Sequence, residues 1–233
     1  RYAPSSKQLM LIITGSTPIT LSEYWLTQLQ AIPEMHSLYY SIQENPQHDT
    51  VLGEHLQHIG GEPTIAATCL GSQYQVSPQS FTQANVRLVT SLYMAIIDLI
   101  DWSKTPTILD AYCGIGILSL ALAKKGAHVI GIDTNPAAIA DAKQIAQQQH
   151  SDCRFICAAS EEYLAQHHSP ADTIILDPPR QGCHPQLLAM LCHRVAKHVI
   201  YVSCNPISLQ RDLKIMQQAG FVVEHMQAFD MFA

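Results

Sequence analysis

The sequence predicts an α/β protein: residues 76–233 form a parallel sheet covered by helices on both faces, and residues 1–75 form a small α+β unit ahead of it. Three observations lead there. From Val76 onward, short apolar runs alternate with stretches of helical periodicity, the pattern of strands buried between crossover helices. Three of these runs end in residues that carry chemistry: a glycine loop, an Asp-Pro-Pro-Arg stretch and a Ser-Cys-Asn-Pro turn. Before Val76 the alternation is absent.

The elements come in the following order along the chain. In the first unit, Leu9–Thr14, Ser37–Ile42 and Thr64–Cys69 read as strands. A helix lies around Leu21–Ile32, where Leu21, Tyr24, Trp25, Leu29 and Ile32 recur at helical spacing. Asn45-Pro46 and Gly60-Gly61 mark turns. In the second unit, a helix over roughly Thr82–Trp102 leads to a strand ending at Leu109 and a helix from Ile117. Strand His128–Ile132, helix Pro136–Gln149, strand Arg154–Cys157 and a short helix near Glu161–Gln166 come next. The pattern closes with strand Thr173–Leu176, helix Pro185–Val195, strand Val199–Ser203, helix Ile207–Ala219 and strand Phe221–Met226.

Composition narrows the function. With 233 residues the chain can hold a domain with a substantial core beside a smaller unit. A net charge of −6, histidines neutral, speaks against a broadly basic nucleic-acid surface and leaves only local patches. The 12 histidines fall mostly in polar or turn-like surroundings, where surface positions are expected. No apolar run is long enough to span a bilayer, and the start Arg1-Tyr2-Ala3-Pro4 lacks a signal-peptide pattern, so the cytoplasm is the expected compartment. The absence of Met at position 1 suggests a fragment. Seven cysteines without a C-x-x-C pair read as reduced thiols, and no metal site is expected from this segment.

The strand ends supply a site. Asp110-Ala111-Tyr112-Cys113-Gly114-Ile115-Gly116 joins a strand to its helix, and glycines there allow a tight turn and close approach of a ligand. The next strand ends in Gly131-Ile132-Asp133, where a carboxylate can accept hydrogen bonds from ribose hydroxyls; an adenosine-containing cofactor is implied. A dinucleotide loop favours a third glycine, but Ser119 stands there; the carboxylate of Asp110 suits a cationic amino-acid tail better than a pyrophosphate. S-adenosylmethionine (SAM) therefore fits better than NAD. Thr173–Leu176 delivers Asp177-Pro178-Pro179-Arg180, and Lys197–Ser203, stopped by Pro206, puts Cys204 at the carboxyl edge of the sheet, where open α/β sheets bind ligands.

These motifs together resemble the RNA uracil-5-methyltransferases: Asp110–Gly116, Asp177–Gly182, Ser203–Pro206 followed by Leu209–Leu213, and the late Phe229–Phe232, with Gln75–Asn85 similar to the segment that opens that family's catalytic domain. The resemblance is dense over 76–233 and looser over 1–75, which is similar to the family's central domain. It implies a Rossmann-like class I methyltransferase sheet, SAM as methyl donor and a uridine in RNA as acceptor, with ribosomal RNA (23S) favoured over transfer RNA. It further implies that Cys204 adds to carbon 6 of the uracil, since carbon 5 alone is too poor a nucleophile, and that Asp177 holds the uracil edge beside the cofactor. Gln83, Tyr112, Gly114 and Asp133 would contact SAM, and Phe81 would pack against the reacting base. The plain structural readings are Phe81 as core, Gln83 as a surface helix residue and Asp177 as a helix cap. RNA contact would rest on local arginines, Arg180 and Arg211, or on domains not represented in this sequence, and the base must be flipped out to reach the site.

The sequence also departs from the family. The family's Asp-Met-Phe run continues into a segment bearing a glutamate base, whereas this sequence stops at Ala233; the last sheet strand is likewise expected to be cut off. The oligonucleotide-binding module and cysteine cluster of many members are not represented either. This stretch alone would then bind SAM and form an adduct without efficient turnover. Other readings are an exocyclic-amine methyltransferase, which places an aromatic where Arg180 stands, a cytosine-5 methyltransferase, a non-catalytic SAM- or RNA-binding scaffold, and an NAD-dependent oxidoreductase.

Overall fold

The computed structural model describes residues 1–43, 52–53, 55–79, 85–167, 171–193 and 196–231. The chain divides into two compact units, Arg1–Thr82 and Gln83–Ala233.

The first unit runs β1 (Tyr2–Ala3), β2 (Gln8–Gly15), α1 (Glu23–Gln30), β3 (Met35–Ile42), β4 (His55–Gly61), β5 (Ile65–Cys69) and β6 (Ser72–Val76). β1 to β4 form a four-stranded sheet in that order, with β2 and β3 parallel across the α1 crossover and the other pairs antiparallel. β5 and β6 make a hairpin whose two central residues, Leu70 and Gly71, both have positive φ (49° and 75°), the twist that matches a two-residue turn to its strands. Met10, Tyr39, Ile65, Ala67 and Val76 form its small core. The three expected strands are present. β4 and β6 escape sequence reading because they are largely polar, and their identity comes from pairing with β3 and β5. The apolar spacing of α1 does not mark a buried face: Tyr24 and Trp25 are 66% and 58% exposed and stack edge-to-face on each other.

The second unit shows the strand–helix alternation: α2 (Val86–Asp98), β7 (Thr107–Ala111), α3 (Ile117–Lys124), β8 (His128–Asp133), α4 (Pro136–Gln148), β9 (Arg154–Cys157), α5 (Ser160–Gln166), β10 (Ala171–Leu176), α6 (Pro185–Cys192), β11 (Ala196–Tyr201) and α7 (Pro206–Gln218). Its five strands are all parallel, in the order β11-β10-β7-β8-β9. The chain therefore builds outward from β7 in one direction, then crosses back to add β10 and β11 on the other side. The central strands are buried on both faces: Leu109, Ile174 and Leu176 pack against helix residues such as Leu187, Leu188 and Leu191, and Ile108 and Ile175, which alternate with them along the strands, are fully buried too. Each side chain of that size contributes about 1.5–3 kcal/mol of transfer free energy. Asn135 and Asn205 cap α4 and α7 with their side-chain oxygens, and each helix has Pro at its first position; such a cap is worth about 1 kcal/mol.

Several boundaries shift by a few residues from the sequence reading, and one element differs. β11 stops at Tyr201; Val202 still donates its N–H to Leu176 O at 2.7 Å, and the turn begins at Ser203. α2 ends at Asp98, after which the Trp102 indole N–H folds back on Ile97 O at 3.0 Å. Phe221–Met226 is not a strand. It has no regular secondary structure, Val222 is 79% and Met226 73% exposed, and among the described residues no strand lies beside it. Its β-favouring composition does not suffice, because a strand exists only through its neighbours' hydrogen bonds. Among the described residues no helix is long and apolar enough to cross a membrane.

Candidate active site

The strand order reverses between β7 and β10, and the crevice outside the carboxyl ends of such strands is where open α/β sheets take ligands. The register sets four strand ends side by side: Ala111 pairs with Ile132 and with Leu176, and Leu176 pairs with Tyr201. The loops that leave these four strand ends form the candidate site.

After β7 the backbone turns sharply. Tyr112 and Cys113 both donate their N–H to Ile132 O, at 2.8 and 2.9 Å. Tyr112, Gly114 and Gly116 all have positive φ (73°, 55° and 76°). The two glycines serve different ends. A Cβ on Gly116 would stand 2.4 Å from the Phe155 ring, so glycine lets α3 pack onto β9, whereas a Cβ on Gly114 would meet nothing within 4 Å. The loop is thus tight on its inner side and open on its outer side, as close approach of a ligand requires. Tyr112, a non-glycine in the left-handed region, is held there by its surroundings. Its ring packs against the core around Cys183, and burial pushes its pKa up.

Asp133, at the end of β8, accepts from Gly114 N at 2.9 Å with one oxygen and from Asn135 N at 2.8 Å with the other. The carboxylate therefore closes the glycine loop onto the neighbouring strand. Asp110, two residues before Tyr112, is buried in the middle of the sheet and accepts from Ser119 Oγ at 2.5 Å. Burial raises its pKa to about 7; the Ser119 hydrogen bond opposes this, and the charges of Asp177 and Asp133 add to it. Asp133 and Asp177 thus bring two carboxylates to the loop, an environment that favours a cationic ligand, while buried Asp110 holds its proton more firmly beneath them.

Asp177 comes directly after β10, half-buried, its N–H 3.5 Å from Ala111 O. The cap of α6 is His184, whose Nδ1 accepts from Gln186 N, so the helix-cap reading does not describe Asp177. Cys204 is exposed and sits in a turn fixed on both sides: Ser203 Oγ donates to Asn205 O at 3.0 Å and accepts from Asn205 N at 3.1 Å. Asn205 caps α7 through Oδ1 and reaches across with Nδ2 to Arg180 O at 2.9 Å, tying the cysteine turn to the loop after Asp177. The structure thus brings Tyr112, Gly114, Asp133, Asp177 and Cys204 to one edge. Phe81 and Gln83 lie outside the described residues. Arg211, expected to face RNA, is engaged with Asp212 and with Gln181 O.

Sequence reading overlooked Asn205 as a tie between loops, and Asp212 and Tyr201 beneath them. One signal for Asp212 was present: it interrupts the buried α7 stripe Ser208–Asp212–Met216 with a carboxylate.

The candidate site is thus the carboxyl edge of an open parallel sheet, where a loop-closing carboxylate, an acidic strand end and an exposed thiol emerge side by side. The chain belongs to the tRNA (uracil-5-)-methyltransferase family, whose model matches residues 67–233. It is 34% identical over 238 residues to an uncharacterized RNA methyltransferase of Listeria monocytogenes and 31% identical over 239 residues to one of Halalkalibacterium halodurans, in each case covering 100% of this chain and 52% of the relative. The chain thus spans about half the length of these curated relatives. Among solved structures it is similar to the Pyrococcus abyssi tRNA (uracil-54, C5)-methyltransferase in complex with S-adenosyl-L-homocysteine, with a TM-score of 0.78 and 27% identity over 100% of this chain and 55% of that one. A SAM-dependent methyltransferase of Agrobacterium tumefaciens, at 16% identity and a TM-score of 0.56 over 91% of this chain and 82% of that one, shares the fold alone.

Proposed function

We propose that this chain is the catalytic part of an enzyme that transfers a methyl group from SAM to carbon 5 of a uridine in RNA through a covalent adduct with Cys204. The observation that carries the reading is the placement of Asp177 and the Cys204 turn at the ends of the adjacent strands β10 and β11, next to the glycine loop closed by Asp133. The loop fits SAM: open space stands over Gly114, and the carboxylates of Asp133 and Asp177 supply negative charge. Asp133 would take the ribose and the Gly114 backbone would border it; Tyr112 and Gln83 join this set by resemblance. Bound there, SAM supplies a methyl group on a cationic sulfur.

The chain's own residues do the rest. Asp177 accepts the N3–H of a flipped uracil and holds the ring across the crevice. Cys204 Sγ, as thiolate, bonds to carbon 6, and the displaced ring electrons pass to the carbon 4 oxygen, which makes carbon 5 nucleophilic. Once carbon 5 carries the methyl group it gives up its proton to a base, the Sγ–carbon 6 bond breaks and the ring double bond returns. Phe81 would join the base site by resemblance alone. The work is done in the cytoplasm on structured RNA, with base flipping preceding it.

The RNA is ribosomal, 23S, on the likeness of residues 1–75 to the central domain of ribosomal members. Transfer RNA is the second reading, favoured by the name of the matching family and of the Pyrococcus relative. The full-length protein given SAM with ribosomal RNA and with transfer RNA transcripts decides between them: 5-methyluridine is expected in the ribosomal transcript, and its appearance in transfer RNA alone overturns that choice. Methylation of an exocyclic amine or of cytosine in either would overturn the reaction itself.

A further inference from the structure

Asp212 is a fully buried carboxylate on the inward face of α7, and the chemistry above makes no use of it. One oxygen, Oδ2, accepts from Cys183 N at 2.8 Å and from Tyr201 Oη at 2.7 Å. The other, Oδ1, accepts from Arg211, with Nε at 2.8 Å and Nη2 at 2.7 Å. The same Nη2 donates to Gln181 O at 2.9 Å. The partners come from two directions. Cys183 and Gln181 belong to the loop that begins at Asp177; Tyr201 ends β11, three residues before Cys204.

The loop lies directly on this pair. Gly182 has a φ of +83°, and a Cβ there would stand 2.6 Å from both Asp212 Oδ2 and Arg211 Nη2. Next along, Arg180 O is held by Asn205 Nδ2. The backbone at 180, 181 and 183 is thus hydrogen-bonded to the α7 side, with glycine between to allow contact. Burying a carboxylate costs more than packing an apolar side chain, so this arrangement is poorly explained as a device for stability alone; what it does provide is a fixed geometry.

We propose that Asp212 is a positioning residue: by binding the Asp177 loop and the end of β11 at once, it sets the spacing between Asp177 and Cys204. This rests on the uridine-adduct reading, in which one loop holds the base and the other attacks it. Arg211 orients Asp212 and draws Gln181 toward α7, and Tyr201 transmits the position to the strand that leads to the nucleophile.

Asp212→Asn in the full-length protein tests this. Asparagine keeps one acceptor oxygen and introduces two donors where four donor contacts now converge, so the loop cannot stay fully bonded. Two readouts are needed. Hydrogen exchange of the amides from Gln181 to Cys183 reports the tie without any chemistry; it should speed up in the variant while the amides of Tyr112, Cys113 and Gly114 exchange as before. The rate of covalent adduct formation with 5-fluorouridine RNA and SAM should fall by about ten- to a hundredfold, the order expected when a misplaced group lies outside the reacting centre, with SAM affinity unchanged within about twofold. Tyr201→Phe removes one hydroxyl and serves if the asparagine variant does not fold; a smaller slowing of the adduct is expected. Unchanged exchange in the loop overturns the tie. Faster exchange with a wild-type adduct rate overturns the positioning role and leaves Asp212 a packing residue. If the wild-type protein forms no adduct at all, it is the functional reading that fails, and the exchange data still decide whether Asp212 holds the loop.

Discussion

Replacing Asp110 by Asn should change how stability depends on pH, in a direction and by an amount set by where Asp110 lies. Its carboxyl is buried, and its folded-state pKa rises from 3.8 to about 7. A carboxyl held above its unfolded value keeps its proton more firmly in the folded protein, so between about pH 4 and 7 the folded state binds more protons than the unfolded one. Stability from this group is therefore greatest below the unfolded pKa and is lost as pH rises toward 7, the opposite of a salt-bridged carboxylate. At about 1.36 kcal/mol per pH unit, the loss between pH 5 and pH 7 is about 2–3 kcal/mol. Asparagine retains an acceptor for Ser119 Oγ and cannot ionise. The assay is urea unfolding of wild type and Asp110→Asn from pH 5 to 8, monitored through Trp102 in a Trp25→Phe background so that the second unit alone reports. The difference between the two proteins should move in favour of the variant by about 2–3 kcal/mol from pH 5 to 7 and then level off. Any constant offset from repacking cancels in this comparison. A difference that stays flat across that range would refute the argument, because it would show that Asp110 ionises in the folded protein much as it does in the unfolded one.

Further expectations concern the site. Asp133→Ala, which also releases the Gly114 N–H, should weaken SAM binding by about 1–3 kcal/mol in calorimetry; unchanged affinity removes the ribose assignment. Asp177→Asn should leave the melting temperature nearly unchanged and lower methylation strongly, and a large loss of stability with normal activity per folded molecule would mark the residue as structural. Gly116→Ala forces a Cβ to 2.4 Å from the Phe155 ring at a φ of +76°; a loss of about 2–4 kcal/mol in urea unfolding is expected from overpacking together with left-handed strain.

The parallel sheet was legible because its strands are buried on both faces and so are written as nearly unbroken apolar runs, as in Thr173–Leu176. The strand ends of the site were legible for the same reason: once the runs are placed, Asp133, Asp177 and Cys204 must emerge at one edge. What could not be read is what depends on neighbours. β4 and β6 are polar and exist through pairing, while Phe221–Met226 has strand-like composition and no strand beside it among the described residues. The apolar spacing of α1 reads as a buried face, yet Tyr24 and Trp25 stand exposed. Asp133 was expected to await a ribose, yet it already closes the glycine loop through Gly114 N. Arg211 is exposed, as expected, but its guanidinium is also paired with the next residue, Asp212, which turns inward beneath the Asp177 loop, and nothing local announces that pairing. Such ties join residues about 30 positions apart, and no local pattern announces them.

The central claim is that Cys204 is the covalent nucleophile of uridine methylation. Its most direct test is methyl transfer by the full-length Cys204→Ala protein to its RNA, measured beside the wild type. The account predicts that wild type forms 5-methyluridine and that the alanine variant, still folded and still binding SAM, forms none, because the bond from Cys204 Sγ to carbon 6 is what makes carbon 5 nucleophilic. Methylation by Cys204→Ala at a rate near that of wild type would contradict the adduct mechanism outright.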